Sequence, residues 1–99
     1  MVSTPTRDQL DLAAEMLKAL ADPSRLRLLL RLAKGELSVG ELAELEQEKI
    51  TTVSARLKVM SIARLLKRRR EGQTIFYSLA DAHVLNLVDN VIEHACETH

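Results

Sequence analysis

Several features that would place a small protein in a familiar class are scarce or missing in this chain of 99 residues. A single cysteine excludes an intramolecular disulfide and fits a reducing cytoplasm. One Phe, one Tyr and no Trp argue against binding of single-stranded nucleic acid by stacking on aromatic rings. No apolar run approaches the roughly 18 residues of a membrane span, and the polar start lacks the pattern of a signal peptide. We therefore expect one cytoplasmic domain over residues 1–99 with no membrane association.

Signs of catalysis are also missing. The chain has no glycine-rich phosphate loop, and neither Cys96 nor any hydroxyl has an evident neighbouring base and orienting group. The protein is therefore not expected to be an enzyme. Hydrolysis at a metal site with an open coordination position is the one enzymatic alternative.

The net charge is zero, but the charges are distributed unevenly. Residues 49–70 hold eight Lys or Arg and no Asp or Glu, whereas residues 81–97 hold four acids and no Lys or Arg. A basic block of this kind indicates a polyanionic partner, although a solvated helix face is the plainer alternative. The acidic segment points instead to cations.

Apolar residues at helical spacing predict a mainly α-helical fold with helices over residues 8–21, 23–33, 39–46, 50–62 and 81–97. Residues 1–7 are expected to form a flexible arm. Asp22 suits the N-cap and Pro23 the first position of the second helix, while Ser38 and Glu41 form a capping box before the third. In the fourth helix, apolar residues are spaced for burial: Ile50, Val53, Leu57 and Met60.

The middle of the chain has the pattern of a winged helix-turn-helix. A short helix, a tight turn at residues 47–49 and a helix with a polar outer face form the helix-turn-helix. Strand-like runs over 65–70 and 73–79, with a turn at Glu71-Gly72, form the hairpin that serves as the wing. We expect double-stranded DNA to contact Thr51, Thr52, Ser54, Arg56 and Lys58 on the helix, and Arg68, Arg70 and Gln73 on the wing. The wing arginines are expected at phosphates, and a solvated charge is the alternative for any one of these residues.

The last helix carries two pairs of potential metal ligands, Asp81 with His83 and His94 with Glu97. The eleven residues from His83 to His94 are about three helical turns, so both imidazoles share a face, roughly 16 Å apart along the axis. One metal ion cannot bridge that distance within one helix, because its bonds to imidazole are only about 2.0–2.1 Å long. Two antiparallel copies of the helix would bring the first pair of one copy opposite the second pair of the other. The spacing therefore predicts two symmetric sites across a homodimer, whereas solvated helix ends are the simpler interpretation. Asp81 is also a plausible N-cap.

Several strings, taken with the order of the elements, resemble the ArsR/SmtB family of winged-helix metal-sensing repressors. They are LADPSRLRLLLRL, ELSVGELA, TTVSARLKVM, RRREGQTIFYSL and DAHVLNLVDNVIEHACE. The resemblance covers about residues 10–97. It implies a homodimer that pairs through its terminal helices, binds an operator when metal-free, and releases it on metal binding to allow expression of efflux or sequestration genes.

The resemblance also implies which metal is sensed. Cysteine positions of the arsenic- and cadmium-responsive members hold Ser38 and Gly40 here, whereas the zinc-responsive positions in the last helix match Asp81, His83, His94 and Glu97. Two imidazoles and two carboxylates suit tetrahedral Zn(II). Co(II) would bind the same ligands more weakly, and Ni(II) prefers further ligands, for which His99 is the one candidate. A nickel- or cobalt-responsive member, or a winged-helix regulator without metal control, are the alternatives.

Three departures from the family pattern affect the DNA-binding region. The turn before the DNA-contacting helix is Gln47-Glu48-Lys49, so that Thr51 is a candidate cap and the helix would begin later. Ala55 stands where a histidine is frequent. Arg64 stands where a glycine is often found before the wing.

Overall fold

The computed structural model describes residues 3–97 of the chain. Within these residues, five helices and three strands follow one another: α1 (Arg7–Leu20), α2 (Pro23–Leu32), β1 (Leu37–Ser38), α3 (Val39–Glu46), α4 (Ile50–Ile62), β2 (Leu66–Glu71), β3 (Thr74–Leu79) and α5 (Ala82–Glu97). The mainly helical fold with a small β-sheet wing is the one that the sequence predicts.

Helix starts follow the local capping residues. Asp22 caps α2 by accepting a hydrogen bond from the Arg25 amide, with Pro23 at the first helical position. Ser38 begins α3 through a reciprocal capping box with Glu41. The predicted caps at both helices are confirmed. A further capping box, from Thr6, begins α1 at Arg7, one residue before the predicted start.

The three strands form one antiparallel sheet in the order β1-β3-β2. Strands β2 and β3 pair along their whole lengths, from Leu66 opposite Leu79 to Glu71 opposite Thr74. The two turn residues are therefore Gly72 and Gln73 rather than the predicted Glu71 and Gly72. Gly72 has φ +62°, a value that glycine adopts at little cost at the first position of a two-residue hairpin. The two-residue strand β1, which the sequence did not predict, pairs with the middle of β3.

The core lies between α2, α3, α4, the base of the sheet and the first half of α5. Its fully buried side chains are Leu28, Leu29, Leu42, Val53, Leu57, Met60, Leu65 and Val88. Ile50, which the spacing predicts to be buried, is 58% exposed instead. The helical period correctly selects the buried face of α4, but Ile50, the first residue of the helix, faces an open groove instead of the core. In α1 only Ala19 and Leu20 are buried in the core, and Leu10 and Leu17 remain exposed.

Candidate DNA interface and metal ligands

Helices α3 and α4 form the helix-turn-helix. Gln47 ends α3 in the left-handed conformation, with φ +54°, and Glu48 donates its amide to the Ala43 carbonyl. Helix α4 begins at Ile50 with Lys49 as its N-cap, and no side chain caps its first amides. The expected cap at Thr51 is therefore wrong, because Thr51 already lies inside the helix.

Helix α4 divides into a buried side and an accessible side. Thr51, Ala55 and Lys58 are exposed, and Thr52, Ser54 and Arg56 are half-buried. The guanidinium of Arg56 lies 3.6 Å from a carboxylate oxygen of Glu48. Thr51, Ser54 and Lys58 therefore share one accessible face of α4. Thr52 and Arg56 lie on the other flank of the helix, where Glu48 already partly neutralises Arg56.

Successive side chains of β2 point to opposite faces of the wing, so Arg69 lies on one face and Arg68 and Arg70 lie on the other. Arg69 donates to both carboxylate oxygens of Glu36, at 3.1 and 2.7 Å, and to Glu71 at 2.7 Å. Its guanidinium also lies 4.6 Å from the centre of the Phe76 ring. The hydrogen bonds from Arg69 lower the pKa of Glu36, and those to Glu36 and Glu71 raise the pKa of Arg69 further above its usual range. Arg69 therefore joins the wing to the segment before β1.

Arg68 and Arg70 point to the other side of the strand, because successive side chains alternate. Both are exposed, as is Gln73 in the turn. Arg70 donates from Nε to the Gly72 carbonyl at 2.9 Å, which folds its side chain toward the tip of the wing. The two predicted wing arginines thus remain accessible, whereas the arginine between them is held by carboxylates.

A buried carboxylate fixes the helix-turn-helix on α2. The side chain of Glu46, at the end of α3, is only 6% exposed and lies 2.8 Å from Arg31 and 3.6 Å from Arg27. Arg31 also donates to the Leu45 carbonyl. The sequence gives no sign of this contact, because the partners are 15 and 19 residues apart.

The four predicted metal ligands lie on α5 and at its N-cap as two separate pairs. Asp81 caps the helix by accepting from the Val84 amide at 3.1 Å, and the same carboxylate oxygen lies 3.6 Å from His83 Nδ1. At the other end, His94 Nδ1 lies 3.8 Å from Glu97 Oε2. The side chains of His83 and His94 are 96% and 81% exposed. Within residues 3–97 of one chain, no three His, Cys, Asp or Glu side chains are grouped closely enough to hold a metal ion.

The two pairs fit the chemistry and dimensions of zinc ligands. In a tetrahedral zinc site with bonds of about 2.0–2.2 Å, two ligand atoms lie about 3.3–3.5 Å apart. The nitrogen-to-oxygen distances of 3.6 and 3.8 Å need little change to reach that separation. Each pair can supply one imidazole and one carboxylate, and neither pair completes four ligands alone. Cys96 is exposed, and His99 lies outside the described residues.

No helix in residues 3–97 combines the length and apolar character needed to cross a membrane.

Comparison with known proteins extends the similarity beyond the helix-turn-helix. A family model described as a helix-turn-helix domain matches residues 20–69. The transcriptional repressor SmtB homolog of Synechocystis sp. is 46% identical over 91 residues, which are 92% of this chain and 69% of that protein. The HTH-type transcriptional regulator KmtR of Mycobacterium tuberculosis is 43% identical, over 89% of this chain and 70% of that protein. The solution structure of the homodimeric winged helix-turn-helix DNA-binding domain of Mb0332 from Mycobacterium bovis has a TM-score of 0.87 at 35% identity, over 98% of this chain and 92% of that one.

Proposed function

This chain belongs to the ArsR/SmtB family of winged-helix transcriptional regulators, and from that premise we propose that it is a zinc-responsive repressor. Its metal-free homodimer binds operator DNA, and zinc at intersubunit sites weakens that binding, so that genes for metal efflux or sequestration are expressed. The observation that carries the proposal is the pair of imidazole–carboxylate groups at the two ends of α5.

DNA binding rests on the accessible surface of α4 and the wing. The polar face of α4, with Thr51, Ser54 and Lys58, has the character of a helix that enters the major groove. Arg68 and Arg70 on the wing are exposed and can meet phosphates, which would give orientation and salt dependence rather than sequence specificity.

Metal binding rests on the symmetry of a dimer. In an isologous pairing whose two-fold axis is perpendicular to α5, the two α5 helices run antiparallel, so Asp81 and His83 of one protomer face His94 and Glu97 of the other. The two copies then form two equivalent sites of two imidazoles and two carboxylates. Bound zinc would supply strong bonds to four side chains and thereby tie the two helices together.

The coupling to DNA follows from how α5 is attached to its own domain. Val84 and Val88 are buried, and α5 contacts both α2 and β3. A fixed orientation of the two α5 helices therefore fixes the separation of the two α4 helices. If that separation differs from the spacing of successive major grooves, metal binding and DNA binding oppose each other, and the coupling free energy is shared by both sites.

The direct test is an operator titration with and without zinc, combined with zinc stoichiometry. The wild type is expected to bind two zinc ions per dimer and to lose operator affinity by about 5- to 150-fold, the usual range of allosteric coupling. Glu97→Ala should lose zinc binding and the zinc response but retain metal-free DNA binding. Glu93→Ala removes a neighbouring carboxylate that is not a proposed ligand, and it should behave as the wild type does.

The same titration separates the alternatives. Release of the operator by Ni(II) or Co(II) at lower free concentrations than Zn(II) would assign the protein to one of those metals. Operator binding that no metal changes, with no zinc bound, would contradict metal control and leave a metal-independent regulator.

A further inference from the structure

An open groove lies between the first turns of α3 and α4 and the tip of the wing. Its volume is about 470 Å³, and Val39, Ile50 and Ile75 supply its apolar lining. Ser54 and Gln73, two of the expected DNA-contacting residues, line it as well. The groove is therefore bounded by the two elements that the proposed function places against DNA.

Ile50 is the unexpected member of this surface. It is 58% exposed, although an isoleucine gains free energy by leaving water. It is also the first residue of α4, and the N-terminal residues of the second helix in a helix-turn-helix contact base edges in the major groove. An exposed apolar side chain at this position suits an apolar feature of the DNA.

The charges around the groove favour DNA over an apolar partner. Lys49 directly precedes Ile50, and Arg70 pairs with Ile75 across the hairpin, so that both side chains point to the same face of the sheet. None of the described residues that line the groove is acidic. Positive charge on both flanks of a short apolar surface matches a base edge between phosphates.

We propose that Ile50 is a specificity-determining residue that packs on the C5-methyl group of a thymine in the operator. The C5-methyl is the apolar group that base pairs present in the major groove, and it distinguishes A·T from the other pairs there. Val39 and Ile75 extend the apolar surface on which the methyl group lies. The proposal rests on the proposed DNA binding and adds to it one residue and one chemical group of the operator.

The test deletes the methyl group from the DNA. An operator is first selected from random duplexes with the wild-type dimer, and each thymine is then replaced in turn by deoxyuridine, which lacks only that methyl. The wild type should lose about fourfold in affinity at one position in each half-site, the value of about one buried methyl group. Ile50→Ala should lose a similar amount on the thymine operator and show no further loss with deoxyuridine at that position.

Ile62→Ala is the matched control. Ile62 is 72% exposed at the opposite end of the same helix, so its variant should keep the wild-type ratio of thymine to deoxyuridine affinities. An Ile50→Ala protein that keeps that ratio would overturn the proposal, as would a wild type that is insensitive to every replacement. Failure of the wild type to select any operator would instead overturn the proposed function.

Discussion

At the scale of single residues, sequence and backbone conflict at Arg64. It has φ +64° just before the wing, where the family often has glycine. A left-handed conformation costs a residue with a Cβ about 1–2 kcal/mol, and glycine avoids that cost. Glycine also loses more conformational entropy on folding, which offsets part of the advantage. Arg64→Gly should therefore raise the free energy of unfolding by about 0.5–1 kcal/mol, measured by urea denaturation at fixed protein concentration.

Arg64→Ala is the matched control, because it removes the guanidinium but keeps the Cβ. It should bring no comparable gain. Equal stabilisation by both variants would show that the charge of Arg64, rather than its backbone conformation, is the unfavourable feature.

Residue contacts divide into those that sequence can predict and those that it cannot. The capping pairs Asp22–Arg25 and Ser38–Glu41 are three residues apart, so their chemistry is visible in the string itself. The bond between Arg69 and Glu36 joins residues 33 apart, and no local signal selects Arg69 over its two arginine neighbours. The predicted metal ligands have the same limit. Their spacing in the sequence shows two pairs, but whether the two pairs combine into one site depends on a second chain.

At the scale of elements, Glu46 holds α3 against α2. A carboxylate in the last turn of a helix opposes the helix dipole, and the two arginines offset that effect. Glu46→Ala should lower the free energy of unfolding by about 1–2 kcal/mol, less than the loss of a fully buried ion pair, because the arginines can regain water. Chemical denaturation measures this, with the exposed Glu44→Ala as control. Equal losses in both variants would contradict a specific role for Glu46.

The ion pair between Arg69 on the wing and Glu36 before β1 depends on pH. Arg69 lowers the pKa of Glu36 below its value in the unfolded chain, about 4.3. The ion pair therefore contributes its full stability above that value and loses it as the pH falls through the lower folded pKa. The melting temperature of the wild type should exceed that of Glu36→Gln at pH 7, and the difference should vanish in more acidic solution. Glu44→Gln controls for net charge, and a difference that persists unchanged at pH 2 would contradict the assignment.

The ends of an element could be predicted where a capping residue or the hydrophobic period marks them. They could not be predicted where only pairing with another strand defines them. Strand β1 has two residues and no strand pattern of its own. It exists because the middle of β3 offers backbone hydrogen bonds to the segment after α2. The same limit explains the turn of the hairpin, since the register of two strands decides which two residues are left between them.

At the scale of the whole molecule, the most notable surface is an apolar cleft between α1, α2 and α5. Its volume is about 240 Å³, and its lining is almost entirely apolar, with Leu17, Leu26, Leu87 and Val91 among its residues. Leu17 is 58% exposed and Val91 50%. Leu17 of α1 and Val91 of α5, two hydrophobic side chains that the chain's own core leaves exposed, thus line the same cleft, where a second copy can cover them.

This cleft gives the proposed dimer a test that is independent of metal. Val91→Glu places a charge on the surface that would be desolvated on association, so the variant should sediment as a monomer at concentrations where the wild type is a dimer. Because one protomer can occupy only one half-site, its operator affinity should fall by at least tenfold. Leu45→Glu introduces the same group at a leucine on α3 that is 47% exposed, and it should remain dimeric. A Val91→Glu protein that still dimerises would show that the protomers associate through another face. In that case the antiparallel α5 arrangement, and the two zinc sites that depend on it, could not form.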